Sequence, residues 1–167
     1  GRRRLRAIGL TLQAAATAFL LVGFLARWAL SGRGRLPPLT NQYETIVAVA
    51  LLAGLAGFVL EMIFRRGWLA LAGALVATVA LIAAFFQAGP LSGQINAPIG
   101  LLNSPILAWH VATLIVGYAM IAMSVVLSLA YLGAWVRLGR LGPSGRPGGL
   151  LGELDRLNLV LIQLACW

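Results

Sequence analysis

Two apolar stretches separated by a short turn decide the fold of this protein: TIVAVALLAGLAGFVLEMIF at residues 45–64 and WLALAGALVATVALIAAFF at residues 68–86. Each has about the 20 residues that an α-helix needs to cross a hydrocarbon core of about 30 Å. Only Arg65, Arg66 and Gly67 lie between them, which leaves room for a tight turn and nothing more. The pattern predicts a helical hairpin in a membrane.

The composition of the whole chain favours the same environment. Hydrophobic residues make up 60% of the chain and charged residues 10%, and so few charges cannot cover the apolar surface of a water-soluble domain. A net charge of +9 would suggest nucleic acid as the partner of a soluble protein. Here the arginines flank apolar segments, so we expect lipid rather than nucleic acid as the partner.

Further apolar segments extend the hairpin to an all-α, polytopic membrane fold of four full spans and the start of a fifth. We expect these spans at about residues 8–30, 44–64, 68–86 and 106–136, with the fifth starting near residue 157. Thr40 or Asn41 can cap the second span. The sequence GPSGRPGG lies at the centre of residues 137–156 and predicts a flexible cytoplasmic linker. We interpret residues 1–167 as a single membrane domain from a longer protein.

The arginines predict how the spans are oriented. Of the thirteen, only Arg27, Arg33 and Arg35 fall on one side of the predicted spans, and the rest fall on the other. Because Arg and Lys concentrate in cytoplasmic loops, we expect the N terminus in the cytoplasm and His110 at the outer face. The Ala/Gly/Leu/Arg-rich, lysine-free composition is typical of a G+C-rich bacterial source, so the membrane is expected to be a bacterial plasma membrane.

His110, the only histidine, is the main candidate for chemistry. A neutral imidazole is a strong ligand for haem iron. The alternative is an interfacial histidine hydrogen-bonded to loop backbone or water, beside an ordinary interfacial tryptophan at Trp109. Gly117 and Tyr118 lie two helical turns further on the same face. Gly117 would admit a flat macrocycle or, as the alternative, a closely packed helix.

Two charged residues inside apolar segments have open interpretations. Arg27 could hold a haem propionate, or it could snorkel to solvent. Glu61 shares a helical face with Gly54 and Gly57, which predicts that this face packs on protein. Arg65 follows Glu61 by four residues, which predicts an ion pair within the helix. A proton relay at Glu61 is the alternative.

The sulfur-containing residues are predicted to be structural. Met120 lies about 15 Å along a helix from His110, so it cannot bind the same iron from this helix, and we expect Met120 and Met123 to pack. Cys166 is the single cysteine, which excludes an internal disulfide, and we expect it to be a small buried apolar residue.

Two segments resemble the membrane haem-handling proteins of cytochrome c assembly, the family of the system II haem-delivery subunit. PLTNQYETIV at residues 38–47 is similar to that family's Pro-x-Thr/Ser-Asn-x-Tyr/Phe-Glu-Ser stretch and contains Asn41, Tyr43 and Glu44. SPILAWHVATLIVGYA at residues 104–119 resembles the family's Ser-x-Trp-Leu-x-x-His-Val stretch followed by Gly/Ser-Tyr-Ala, with isoleucine in place of the family's tryptophan. LDRLN at residues 154–158 is a weaker third match.

The resemblance implies that His110 is an external axial ligand of haem b. Gly117 and Tyr118 match the family's stretch, whereas Trp109 is an aromatic that the family's stretch lacks, and we expect all three near the haem. It implies a parent protein that brings haem b to the outer face, or presents it there, for covalent attachment to apocytochrome c with a partner assembly subunit. The parent would then belong to a holocytochrome c synthase complex, and the fragment alone is expected to lack catalytic activity. No role is implied for Asn41, Tyr43 or Glu44.

Other functions remain open from the sequence. Within the same superfamily, the alternative is a regulator of the haem pathway or a haem exporter. Outside it, the chain could be a transporter or permease subunit in which His110, Glu61 and Arg27 serve protons or solute, or a non-catalytic membrane scaffold.

Overall fold

The computed structural model describes residues 2–31, 39, 41–87, 105–139 and 149–166, and those residues form five α-helices without strands. The helices are α1 (Arg2–Leu30), α2 (Gln42–Phe64), α3 (Trp68–Gln87), α4 (Pro105–Gly139) and α5 (Leu150–Cys166). The first four are long and apolar enough to cross a membrane. The predicted all-α, multi-span architecture is therefore confirmed.

The predicted hairpin is formed by α2 and α3, whose backbones touch. An ideal Cβ on Gly73 would lie 2.5 Å from the carbonyl oxygen of Ala53 and 2.8 Å from the Cα of Gly57. The turn is tight because Arg65 adopts a left-handed conformation (φ 56°) and its N–H donates to the carbonyl of Glu61 at 2.8 Å. A glycine at each facing position is what permits this approach.

The core lies between α2, α3, α4 and α5. Its fully buried large side chains include Leu69, Met123, Leu127, Leu154 and Leu161. Met120 is buried in the same cluster, so the prediction that both methionines pack is confirmed. Unbranched thioether side chains suit such a position because they fill irregular gaps between helices.

The second hairpin, α4 with α5, has a polar contact inside its apolar interface. Ser124 Oγ donates to Asn158 Oδ1 at 2.5 Å, and Asn158 Nδ2 donates to Ser128 Oγ at 3.0 Å. Helix α5 begins at Leu150 rather than near residue 157. Its first turns are amphipathic, with Leu151 buried, so they lack the unbroken apolar run that predicts a membrane span.

Helix α1 lies at the periphery and packs mainly on α2. None of its membrane-spanning window is buried. Polar side chains make several of its contacts with α2. Gln13 Nε2 donates to the carbonyl of Gly54 at 3.2 Å, and Thr17 Oγ1 would lie 3.0 Å from a Cβ on Gly54.

The helices alternate in direction, which gives the bundle two distinct ends. We call them the Glu61 end, where the α2–α3 turn lies, and the Glu44 end, where α2 begins. Arg66 contacts Glu153 at 3.4 Å, so α5 begins at the Glu61 end. The carbonyl of Ala165 lies near Gly117, so α5 finishes beside the first half of α4. His110, in the second turn of α4, therefore lies at the Glu44 end.

Candidate functional site: an exposed histidine and two buried ion pairs

His110 lies exposed on the surface of the bundle. Its carbonyl accepts a hydrogen bond from Thr113 Oγ1 at 2.8 Å. Within the described part of the chain, no hydrogen bond or ion pair involves its imidazole. A ring nitrogen with its lone pair free is the form that binds a metal, so the side chain is available to a ligand from outside the bundle.

The face of α4 around His110 is apolar and open. Trp109 is 68% exposed and Tyr118 is 56% exposed, and Ile106 and Leu114 are exposed as well. Four large side chains on an uncovered surface are expected where a helix faces lipid or an apolar ligand. Ile106, Leu114 and Tyr118 share the face of His110 by helical spacing, whereas Trp109 lies on the side of α4 opposite Tyr118.

Gly117 faces a different neighbour. A Cβ at this position would lie 3.5 Å from the carbonyl oxygen of Ala165 in α5. This is ordinary van der Waals contact between two helices, which corresponds to the packing alternative for Gly117. The predicted approach of a macrocycle to Gly117 stays a prediction.

Arg27 is held by two of the motif residues at the Glu44 end. Its Nε donates to Glu44 Oε1 at 3.1 Å, and its guanidinium lies 5.2 Å from the centre of the Tyr43 ring. The Glu44 side chain is fully buried (0% exposed). Asn41 caps α2, because its Oδ1 accepts the N–H of Glu44 at 2.8 Å. A propionate at Arg27 would therefore have to share the guanidinium with Glu44.

This arrangement gives Asn41, Tyr43 and Glu44 a structural role that sequence reasoning missed. Together they begin α2 and attach the end of α1 to it. The signal was present in the sequence, since a cation near the end of one predicted span and a carboxylate near the start of the next must be close in an antiparallel pair. The predicted cap at Asn41 is confirmed.

Glu61 has a different partner from the one predicted. Its Oε1 lies 2.6 Å from Arg6 Nη2 and accepts the N–H of Gly67 at 2.6 Å. The predicted pair with Arg65 is wrong because α2 ends at Phe64 and Arg65 turns out of the helix. The Nε of Arg65 donates to the carbonyl of Met62 at 3.4 Å. The predicted face formed by Glu61 with Gly54 and Gly57 is buried, as expected.

Cys166 also differs from its prediction. It is exposed, because the buried face of α5 consists of Leu151, Leu154, Leu157 and Leu161, and Cys166 does not continue that spacing. Among the described residues no three His, Cys, Asp or Glu side chains are close enough to hold a metal ion.

No protein-family model, curated protein or solved structure matches this chain. The resemblance to cytochrome c assembly proteins therefore depends mainly on residues 38–47 and 104–119. The structure describes residues 39, 41–47 and 105–119 of these two segments. It places both at the Glu44 end, at the start of α2 and the start of α4.

Proposed function

We propose that the protein is a membrane haem-handling component of cytochrome c biogenesis, which holds haem b through His110. The observation that carries the proposal is the exposed His110 imidazole, which has no hydrogen-bonding partner in the described part of the chain. It lies beside an open apolar surface that includes Leu114 and Tyr118. A haem site needs an axial nitrogen next to apolar surface for the porphyrin, and these residues fit that requirement.

The contribution of this chain is to position the haem. His110 supplies one axial nitrogen, and the exposed side chains of α4 shield one edge of an apolar ligand from water. When bound, haem b supplies the iron and the vinyl groups to which the thiols of an apocytochrome c are joined. Holding these groups in place for the thiols lowers the entropic part of the barrier.

The proposed orientation puts the Glu44 end at the outer face of a bacterial plasma membrane. Most of the described arginines favour this assignment, because Arg4, Arg6, Arg65, Arg66, Arg137 and Arg156 lie toward the Glu61 end. Arg27 is the one described arginine near the opposite end. Basic residues concentrate on the cytoplasmic side. Apocytochrome c and a partner assembly subunit would then meet the haem at the outer face.

Haem titration tests the proposal. The purified protein in detergent is titrated with ferric haem b, and the Soret band is recorded for wild type, His110→Ala and Leu129→Ala. Leu129 is also exposed on α4, about 28 Å further along the helix. We expect His110→Ala to lose the shifted band, free imidazole to restore it, and Leu129→Ala to match wild type. A wild-type spectrum identical to that of haem in empty micelles would contradict the proposal.

One observation favours a second candidate, a transporter subunit. The Glu61 side chain is buried, and its Oε2 has no hydrogen-bonding partner among the described residues. Ionisable side chains buried at membrane depth are found on ion and proton pathways. Reconstituted vesicles with a pH-sensitive dye separate the two candidates. Proton flux that Glu61→Gln abolishes, with no haem spectrum in wild type, would favour the transporter.

A further inference from the structure

A cleft runs along the bundle between α1 and the α2–α3 hairpin. Three cavities of about 710, 130 and 570 Å³ follow one another along it. The first two share Gln13, Ala16 and Ala74 in their walls, and the last two share Ala16, Leu20 and Leu81. On α1 the cleft extends from Arg6 to Arg27, which is about 32 Å of helix and about the thickness of the hydrocarbon core.

The cleft exists because small residues leave space beside α1. A Cβ on Gly9 or Gly23 would have no neighbouring atom within 4 Å, although both residues line the cavities. The walls between them are mainly apolar, with Gln13, Thr17 and Thr78 as polar side chains. Leucine and alanine predominate in the widest of these three cavities, whose lining includes Leu5, Leu10, Leu12, Ala16, Leu71 and Ala74. An apolar cleft at membrane depth is filled by hydrocarbon rather than water.

The wide mouth of the cleft at the Glu61 end is positively charged. Arg6, Glu61 and Arg66 line it. The Glu61 carboxylate is already bonded to the Arg6 guanidinium and to the N–H of Gly67, so these groups neutralise one another. Arg66 is 61% exposed, and its 3.4 Å contact with Glu153 is longer than the 2.7–2.9 Å typical of a charge-assisted hydrogen bond. Arg66 therefore keeps donors for an anion.

We propose that this cleft binds an anionic phospholipid. Its phosphate contacts the Arg66 guanidinium at the Glu61 end, and one acyl chain follows the cleft past Leu71 and Ala74. Guanidinium groups bind phosphate through paired hydrogen bonds. Basic pockets between transmembrane helices on the cytoplasmic side are typical sites for anionic lipid headgroups. The apolar walls favour a lipid over a free phosphate, because a free ion would leave the cleft below Arg66 unfilled.

Glu153 competes with the lipid for Arg66. The Glu153 carboxylate and the lipid phosphate both bind the same guanidinium. Removing the carboxylate should therefore strengthen the contact between Arg66 and the phosphate. Glu153→Gln is therefore expected to tighten lipid binding, whereas Arg66→Gln is expected to weaken it. A merely structural effect of the two substitutions would not give opposite signs.

Native mass spectrometry tests the proposal by measuring which lipid the protein retains. The protein is reconstituted with equal amounts of phosphatidylglycerol and phosphatidylcholine. Arg65→Gln is the matched control, because Arg65 is the adjacent arginine, is also exposed, and does not line the cleft. Ala74→Phe is a second variant that fills the cleft. Helicity and melting temperature are recorded for every variant.

We expect wild type to retain phosphatidylglycerol in preference to phosphatidylcholine. Arg66→Gln should lower that retention about tenfold, as the loss of a charge-assisted contact predicts. Arg65→Gln should match wild type, Glu153→Gln should raise retention, and Ala74→Phe should lower retention of both lipids. Equal retention of the two lipids by wild type would overturn the proposal, as would equal effects of the two arginine substitutions. A retained free phosphate or second protein copy in place of lipid would overturn it too.

Discussion

Helix α2 is attached to its two neighbours by different means. On one side it packs on α3 through backbone contact, with Gly57 against Gly73. On the other side it holds α1 through polar side chains: Arg6 with Glu61, Gln13 with the carbonyl of Gly54, and Arg27 with Glu44. Lipid solvates apolar side chains as well as another helix does, so only close packing or polar contacts can hold helices together in a membrane.

The difference also explains where space remains. The α2–α3 interface has no room for a methyl group at Gly73, whereas the polar contacts hold α1 at enough distance to leave cavities beside it. An interface closed by glycines excludes ligands, and an interface held by long polar side chains can admit them. Substitutions at the helix interfaces test this contrast.

Gly73→Ala should destabilise the protein most. The new methyl group would lie 2.5 Å from the carbonyl of Ala53, and neither backbone can move without separating the hairpin. We expect a loss of about 3 kcal/mol, at the upper end of the range for overpacking, measured by SDS-induced unfolding in mixed micelles. Gly133→Ala is the control, because a Cβ there meets nothing and alanine raises helix propensity by up to about 1 kcal/mol. Equal effects at both positions would contradict the close contact.

Arg6→Leu should have the next largest effect, because it leaves the fully buried carboxylate of Glu61 without its cation. A loss of about 2 kcal/mol is expected, between the values for exposed and buried pairs. The double variant Arg6→Leu/Glu61→Leu should be more stable than Arg6→Leu alone. Arg65→Leu should change stability by no more than about 0.5 kcal/mol. If Arg65→Leu costs more than Arg6→Leu, the assignment of the ion pair is wrong.

Asn41→Ala tests the attachment at the Glu44 end. The substitution removes the side-chain acceptor for the N–H of Glu44 and should cost about 1 kcal/mol in the same unfolding measurement. Asn41→Asp keeps the acceptor and should cost less than half as much. Similar losses for the two variants would show that the cap contributes little to stability.

Ser124→Ala should have the smallest effect. It removes one hydrogen bond to Asn158 between α4 and α5, and such bonds between membrane helices are worth about 0.6 kcal/mol on average. A much larger loss would show that polar side chains hold the α4–α5 hairpin as they hold α1. The α4–α5 interface would then resemble the α1–α2 interface, which depends on polar side chains, rather than the α2–α3 interface.

The sequence was sufficient for features that depend on local pattern. Apolar length predicted the four spans, Arg65-Arg66-Gly67 predicted the turn, and the spacing of Gly54, Gly57 and Glu61 predicted a buried face. The partner of Glu61 was not predictable in this way, because Arg6 lies 55 residues away along the chain. Local spacing pointed to Arg65 and could not show that the helix ends just before it.

In the candidate site too, the sequence predicted features that depend on local pattern but not those that depend on contacts between helices. Position along a span predicted that His110 lies near one end of α4, and the structure agrees. The packing of Gly117 on α5 and the engagement of Arg27 by Glu44 depend on how helices pair in space. Composition and periodicity do not contain that information, so both residues had two open interpretations.

Because His110 is the only histidine, isotopic labelling tests the central proposal most directly. The protein is produced with ¹⁵N-histidine, loaded with ferric haem b of natural isotopic composition, and studied by pulsed electron paramagnetic resonance. We predict a ¹⁵N coupling to the iron from an axial ligand in wild type and its disappearance in His110→Ala. Iron whose only nitrogen couplings come from the porphyrin in the labelled wild-type protein would contradict the proposed function.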